Sequence, residues 1–246
     1  MCIMGKVRSV IQTAVIAAVA GMVMLGGDAA NAGLVNVDFN DDRGTYSGAA
    51  AIGATGDFWN NTGSAISGSM SLKNAEDAMA GVSMTWAAPM LLRMGSTFWN
   101  ELMSDQLAIA AGSSSEITVT LSGLAGIYDL HLYGGTHRGW SGSSFVPYPK
   151  KIELTVASGS TAVGSVILDS TSLEYDYVLG QNHGVFEGIS VAVGDTLSIT
   201  GANLYSDQTA AFNGFQLLSV PEPATWVFLL IGAIGLLARR RAGRNA

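Results

Sequence analysis

The chain has 246 residues, with 12 Lys and Arg against 19 Asp and Glu, a formal net charge of −7 and one cysteine. That length allows one or two domains with a substantial core. The acidic balance excludes nucleic acid, whose recognition needs a cationic footprint, and the lone Cys2 excludes a disulfide framework.

In chain order, Lys6 and Arg8 precede an apolar run from Val10 to Leu25, and Ala30-Asn31-Ala32 supplies a small-x-small exit before Gly33. Charge, apolar segment and small-residue exit in that order predict a secretory signal peptide over 1–32, helical, cut between Ala32 and Gly33. A retained anchor is the alternative, and the apolar run is short for a bilayer span. Cleavage would remove Cys2, leaving a body without thiol chemistry.

From Gly33 to Val220 six basic residues oppose seventeen acidic ones, so the body carries about −11. Such charge serves solubility. Asp38, Asp41 and Asp42 cluster near the start of the body and are candidate calcium ligands. They lack the alternating Asp loop that makes a calcium site specific, so a solvated surface is the competing reading. No other cofactor is expected.

The body then reads as short period-two segments between Gly, Ser, Asn and Asp clusters. In "EITVTL" Ile117, Val119 and Leu121 share one face; in "YDLHLY" Tyr128, Leu130 and Leu132 point inward while Asp129, His131 and Tyr133 look outward. "KIELTV" and "DTLSIT" repeat the period, and "LVNVDF", "VSMTW", "SVILDS", "LEYDYVL", "VFEGISVAV" and "FNGFQLLSV" are further strands. "APMLLRMGSTFWNELMSDQLAI" is expected to be an irregular excursion with one or two turns of helix. Many short strands without alternating helices predict an all-β fold, an antiparallel β-sandwich of jelly-roll type over 33–218.

Catalytic signatures are sparse. There is no G-x-S-x-G elbow and no histidine pair at metal-ligand spacing. "ATGDFWNNTG" reads as a Gly/Asn turn whose aromatics pin it to the sheet. A secreted hydrolase remains an alternative, because carboxylate separations in space are not visible in sequence. The Tyr133–Lys151 stretch, "YGGTHRGWSGSSFVPYPKK", is the candidate ligand site. Trp140 or Tyr148 could stack on a sugar while His137, Arg138 and Asn182 donate hydrogen bonds. A sandwich-edge loop with inward-folded aromatics is the competing reading.

The chain closes with "VPEPATWVFLLIGAIGLLARRR". Fifteen apolar residues from Ala224 to Ala238 reach about 22 Å as a helix, short of a hydrocarbon core of about 30 Å. Basic residues after them place that end in the cytoplasm. Residues 219–246, with Pro221-Glu222-Pro223, a single transmembrane helix and Arg239, Arg240 and Arg241, resemble the PEP-CTERM sorting signal of Gram-negative bacteria. That resemblance implies export by the secretion machinery and recognition by an exosortase-type membrane protease. It further implies cleavage near Pro-Glu-Pro and delivery to the cell surface or an exopolysaccharide matrix such as biofilm or floc. A permanent anchor is the alternative. The body, in "VDFN…GTYSGAAAIGATGDFWNN", "FWNELMSDQLAI", "ITVTLSGLAGIYDLHLYGG" and "AAFNGFQLLSV", resembles secreted galactose-binding-like sandwich modules. This implies a fold that hosts carbohydrate binding, adhesion or structural roles. The expected function is a non-enzymatic structural or adhesive role outside the cell.

Overall fold

The structure, a computed structural model, describes residues 33–39, 46, 48–93, 102, 105–134, 138–141, 144–147, 150–170 and 177–221. The expected signal peptide and the expected transmembrane helix lie outside these residues. Among the described residues no helix is long and apolar enough to cross a membrane.

The strands are β1 (Leu34–Asp38), β2 (Asn60–Asn61), β3 (Ser67–Lys73), β4 (Met79–Ala87), β5 (Met90–Arg93), β6 (Asp105–Ile109), β7 (Ile117–Ser122) and β8 (Gly126–Gly134). They continue with β9 (Arg138–Ser141), β10 (Ser144–Pro147), β11 (Lys150–Ser158), β12 (Thr161–Ser170), β13 (His183–Val191), β14 (Leu197–Asn203) and β15 (Ala210–Val220). One sheet has the order β13-β8-β15-β1-β2, with β6 also on β15 and β5 on β6; the second has the order β12-β11-β14-β7-β4-β3, and β9 and β10 pair with each other as a separate two-stranded sheet. All pairings are antiparallel except β1 with β2. This is the all-β sandwich that the period-two segments predict.

The core follows from that period. Val35, Val37, Leu130, Leu132, Phe215 and Leu217 of the first sheet face Met84, Val119, Leu121, Leu154, Val156 and Leu197 of the second, all fully buried. Burying side chains of this size contributes about 1.5–3 kcal/mol each. Asn60 stitches the sheets at one edge: its Nδ2 donates to Asn36 O (2.9 Å) and Lys73 O (2.7 Å), and its Oδ1 accepts from Lys73 N (2.8 Å).

The outer face of the six-stranded sheet carries hydroxyls in register. Thr155 pairs with Thr200 and Thr200 with Thr118. In the next row Ser198 pairs with Thr120, Thr120 with Thr85 and Thr85 with Ser69; in the third, Ser122 pairs with Ser83 and Ser83 with Ser71.

Three expectations need correction. The expected excursion over 88–109 is a β-hairpin at both described ends, since β5 pairs with β6 from Met90↔Ala108 to Arg93↔Asp105. Its one described helical residue is Leu102, in a 3₁₀ turn. Second, the described end of "LEYDYVL" is no strand: Tyr177 and Val178 are irregular and Leu179 makes an isolated bridge to His183. Third, Tyr133 is fully buried although it alternates onto the outer face, because a second layer covers that face.

β15 bends at an irregularity between Phe212 and Gly214, where the backbones of β15 and β1 approach closely. A Cβ on Gly214 would run into the Val37 carbonyl oxygen and press on Leu102 Cδ1 at 3.1 Å. Gly214→Ala is therefore expected to lower stability by about 1–3 kcal/mol, measured as a lower urea midpoint at unchanged m-value.

Candidate functional site

Strand directions give the molecule two unlike poles. β1, β8, β4, β14 and β12 run one way, and β15, β13, β7, β3 and β11 return. The turns 74–78, 123–125, 159–160 and 192–196 therefore share one pole with Gly33 and Pro221. Direct bonds confirm this: Ser219 N donates to Gly33 O (3.2 Å), Ala75 N to Leu34 O (2.7 Å) and Gly159 N to Thr196 O (2.8 Å). The connections 110–116, 135–149, 171–182 and 204–209 leave from the opposite pole.

At that far pole the bases of three connections are tied together. Lys151 Nζ lies 2.6 Å from Asp169 Oδ2 and 5.4 Å from the centre of the Tyr205 ring. Asp169 first, and then Tyr205, hold the Lys151 ammonium above its ordinary pKa. Gly134 N donates to Asn182 O (3.1 Å) and Asp169 N to Gly180 O (3.3 Å).

Beside this pole, the outer face of the first sheet bears a buried polar and aromatic layer. The segment 46–59 lies across it as a roof. Trp59 Nε1 donates to Gly48 O (3.1 Å), Ala51 N to the Tyr133 hydroxyl (3.2 Å) and Ile52 N to Gln216 Oε1 (3.3 Å). Tyr133 donates to Gln216 Oε1, whose Nε2 donates to Asn36 Oδ1 (2.8 Å) and Ile52 O (3.0 Å). The "GDFWNN" turn is thus pinned by its aromatics, as its composition suggests, with Asp57 Oδ2 accepting from Ala54 N (2.8 Å). These pairings matter because a buried polar group without a partner costs about 1–3 kcal/mol.

Two histidines complete the layer. His131 Nδ1 and His183 Nε2 lie 3.0 Å apart, so one ring carries the bridging proton. Tyr133 stacks on His183 at 5.2 Å and meets Tyr177 edge-on at 5.0 Å, while the Tyr177 and Tyr46 hydroxyls lie 3.2 Å apart. Burial lowers the pKa of His131 against the opposing pull of Asp129 and Glu187. Burial, then the His131 charge, lowers His183 to about 4. Burial also raises the Tyr133 phenol above its ordinary value. Burial thus disfavours the charged form of both histidines and of Tyr133.

The structure distributes the sequence-derived candidates widely. Arg138 and Trp140 stand on β9, where Trp140 pairs in register with Phe145 of β10; His137 and Tyr148 lie outside the described residues. Asn182 is buried, and its Oδ1 accepts from Val178 N at 2.7 Å, closing the base of the β12–β13 connection. Asp38 is fully buried at the end of β1, and Asp41 and Asp42 lie outside the described residues. Among the described residues no group of three His, Cys, Asp or Glu side chains could hold a metal ion. Gly33 opens the described chain and Pro221 follows β15 exposed; Ala32, Glu222, Pro223, Arg239, Arg240 and Arg241 lie outside it.

Sequence reasoning missed the layer of Asn36, Tyr46, Tyr133, Tyr177, His183 and Gln216. One signal was available: "GFQLL" places Gln216 at an outward position of a strand otherwise apolar on both faces, as covered strands are.

The chain is thus a two-sheet sandwich whose first and last strands meet at one pole. Residues 219–241, starting in the last two residues of β15, match the PEP-CTERM protein-sorting motif, and this marks the chain as exported. No curated protein sequence matches it. Among solved structures it is similar to TmCBM61 in complex with β-1,4-galactotriose, at 12% identity and TM-score 0.35, over 56% of this chain and 88% of that one. The CBM36-1 domain of a multidomain xylanase from the hindgut metagenome of Trinervitermes trinervoides is similar at 12% identity and TM-score 0.33, over 56% and 92%.

The histidine layer predicts acid sensitivity. The folded pKa of His183, about 4, lies below its ordinary value of 6.5, so between them the unfolded chain binds a proton that the folded chain does not. Stability is expected to be fully present above 6.5, to fall as pH drops towards 4 and to level off below that. His183→Gln should flatten this part of the profile, measured by urea midpoints across the range.

Proposed function

We propose that this chain is a non-enzymatic protein of the cell surface or extracellular matrix, placed there by exosortase processing of its PEP-CTERM tail. The observation that carries this reading is the polarity of the sandwich. The sorting motif begins where β15 ends, beside Gly33, while the long connections leave from the opposite pole. A body held at the membrane by that pole directs its long connections outward, where loops carried on a rigid scaffold are placed to make contacts.

The fold also limits where the tail can be cut. β15 is paired through Val220 with Ile127 and through Leu218 with Leu34, so cleavage before Val220 would remove ladder residues from the middle of a sheet. The mature protein in culture medium or matrix is expected to end at Val220 or within the following Pro-Glu-Pro, read by intact mass. A form retaining Arg244 and confined to the membrane fraction would overturn the reading.

A second reading, carbohydrate binding through the Tyr133–Lys151 connection, is favoured by the knot of Lys151, Asp169 and Tyr205, which fixes the base of that connection. Trp140→Ala is expected to abolish retardation in polysaccharide affinity gels; unchanged mobility shifts would exclude this site.

A further inference from the structure

The outer face of the six-stranded sheet is a built surface that neither reading uses. Thr155, Thr200 and Thr118 stand abreast on three strands, and Ser198, Thr120 and Thr85 form the adjacent row. Alternation turns these side chains away from the core, where their neighbours Val156, Ile199, Val119 and Met84 are buried. Ser69 and Ser71 carry the same pattern onto the edge strand β3. β-propensity accounts for threonine in such strands but not for serine. Soluble surfaces also intersperse Lys and Glu for solubility. Here the charges stand at the margins: Glu153, Lys151 and Asp169 towards the far pole and Lys73 at the opposite edge.

From this geometry we propose that the hydroxyl face binds a neutral polysaccharide laid across the strands; the proposal rests on the extracellular-matrix reading above. Each hydroxyl donates once and accepts twice, so the array matches sugar hydroxyls without demanding one polarity, directly or through bridging water. Charge selects the neutral polymer. The body is strongly acidic, and an uncharged face is where a neutral polyol meets least desolvation cost and an anionic chain gains nothing. Size argues against a second copy. Six strands at about 4.8 Å and five residues at about 3.3 Å span roughly 480 Å², under the ~800 Å² per partner of a stable interface. Shape argues against a rigid crystalline plane, because neighbouring strands rotate by about 20–25°. A polysaccharide can turn at each glycosidic bond and follow that twist.

The test uses the triple variant Thr85→Val, Thr118→Val and Thr200→Val, which removes hydroxyls at near-constant shape and keeps β-branching. Wild-type protein and variant are run in native gels containing xylan, dextran or neutral galactan, with alginate as the anionic control. Retardation of the wild type by a neutral polymer, weakened at least tenfold in the variant at unchanged urea midpoint and circular dichroism, is the expected result. No retardation by any neutral polymer overturns the proposal. So does retardation that survives the triple variant but is lost in Trp140→Ala, or a dimer in sedimentation that the triple variant dissociates. The intact-mass measurement addresses export and processing separately, so this face can fail while the extracellular reading stands.

Discussion

The fold depends on one pairing, that of its first strand with its last. β1 and β15 run antiparallel from Leu34↔Leu218 to Asp38↔Gly214, and β15 also pairs with β8 along its length. Remove β15 and the sheet separates into three pieces, β13-β8, β1-β2 and β5-β6. The contact joins residues at opposite ends of the body, so its loop-closure entropy is met only when the whole body is available to pair. For a chain that crosses a membrane before folding, this constraint helps, since no stable sandwich can form from the leading part alone.

A second constraint follows from the width of that central sheet. Its outer face is covered by 46–59 and by the approach to β13, so polar groups there must find partners within the protein. Gln216 does this for three elements at once, meeting Tyr133 on β8, Asn36 on β1 and Ile52 in the roof. The layer fixes the roof's register by hydrogen-bond geometry, where apolar packing alone would leave it freer to slide. The neutral histidine pair belongs to the same logic, since charge beneath the roof would oppose burial.

What was legible in the sequence was whatever depended on local alternation. Ile117, Val119 and Leu121, and Tyr128, Leu130 and Leu132, point into the core as their spacing predicts. The sorting tail was legible for another reason: its motif is an order of consecutive residue types, which can be read without the fold. Tyr133 was misplaced because alternation assigns a face but not what covers it, and the cover comes from a segment 82 residues away, where Ala51 meets its hydroxyl. The β5–β6 hairpin was obscured because the pairing of Leu91 with Leu107 is set by tertiary context. The hydroxyl face escaped notice because each strand shows only one to three outward Ser or Thr; only the register lines them up into rows.

The hydrogen bond between Ser219 and Gly33 carries one more consequence. Once both flanking segments are removed, the new ends of the chain are held side by side among the tightest turns of the molecule. Exopeptidases need a frayed terminus, and endopeptidases need several residues of extended, unpaired backbone. Among the described residues the backbone at that pole is hydrogen-bonded at both ends, Ser219 to Gly33 and Ala75 to Leu34, which denies a protease that foothold there. Under the proposed processing, the trimming that releases the body would leave its two ends bound to each other.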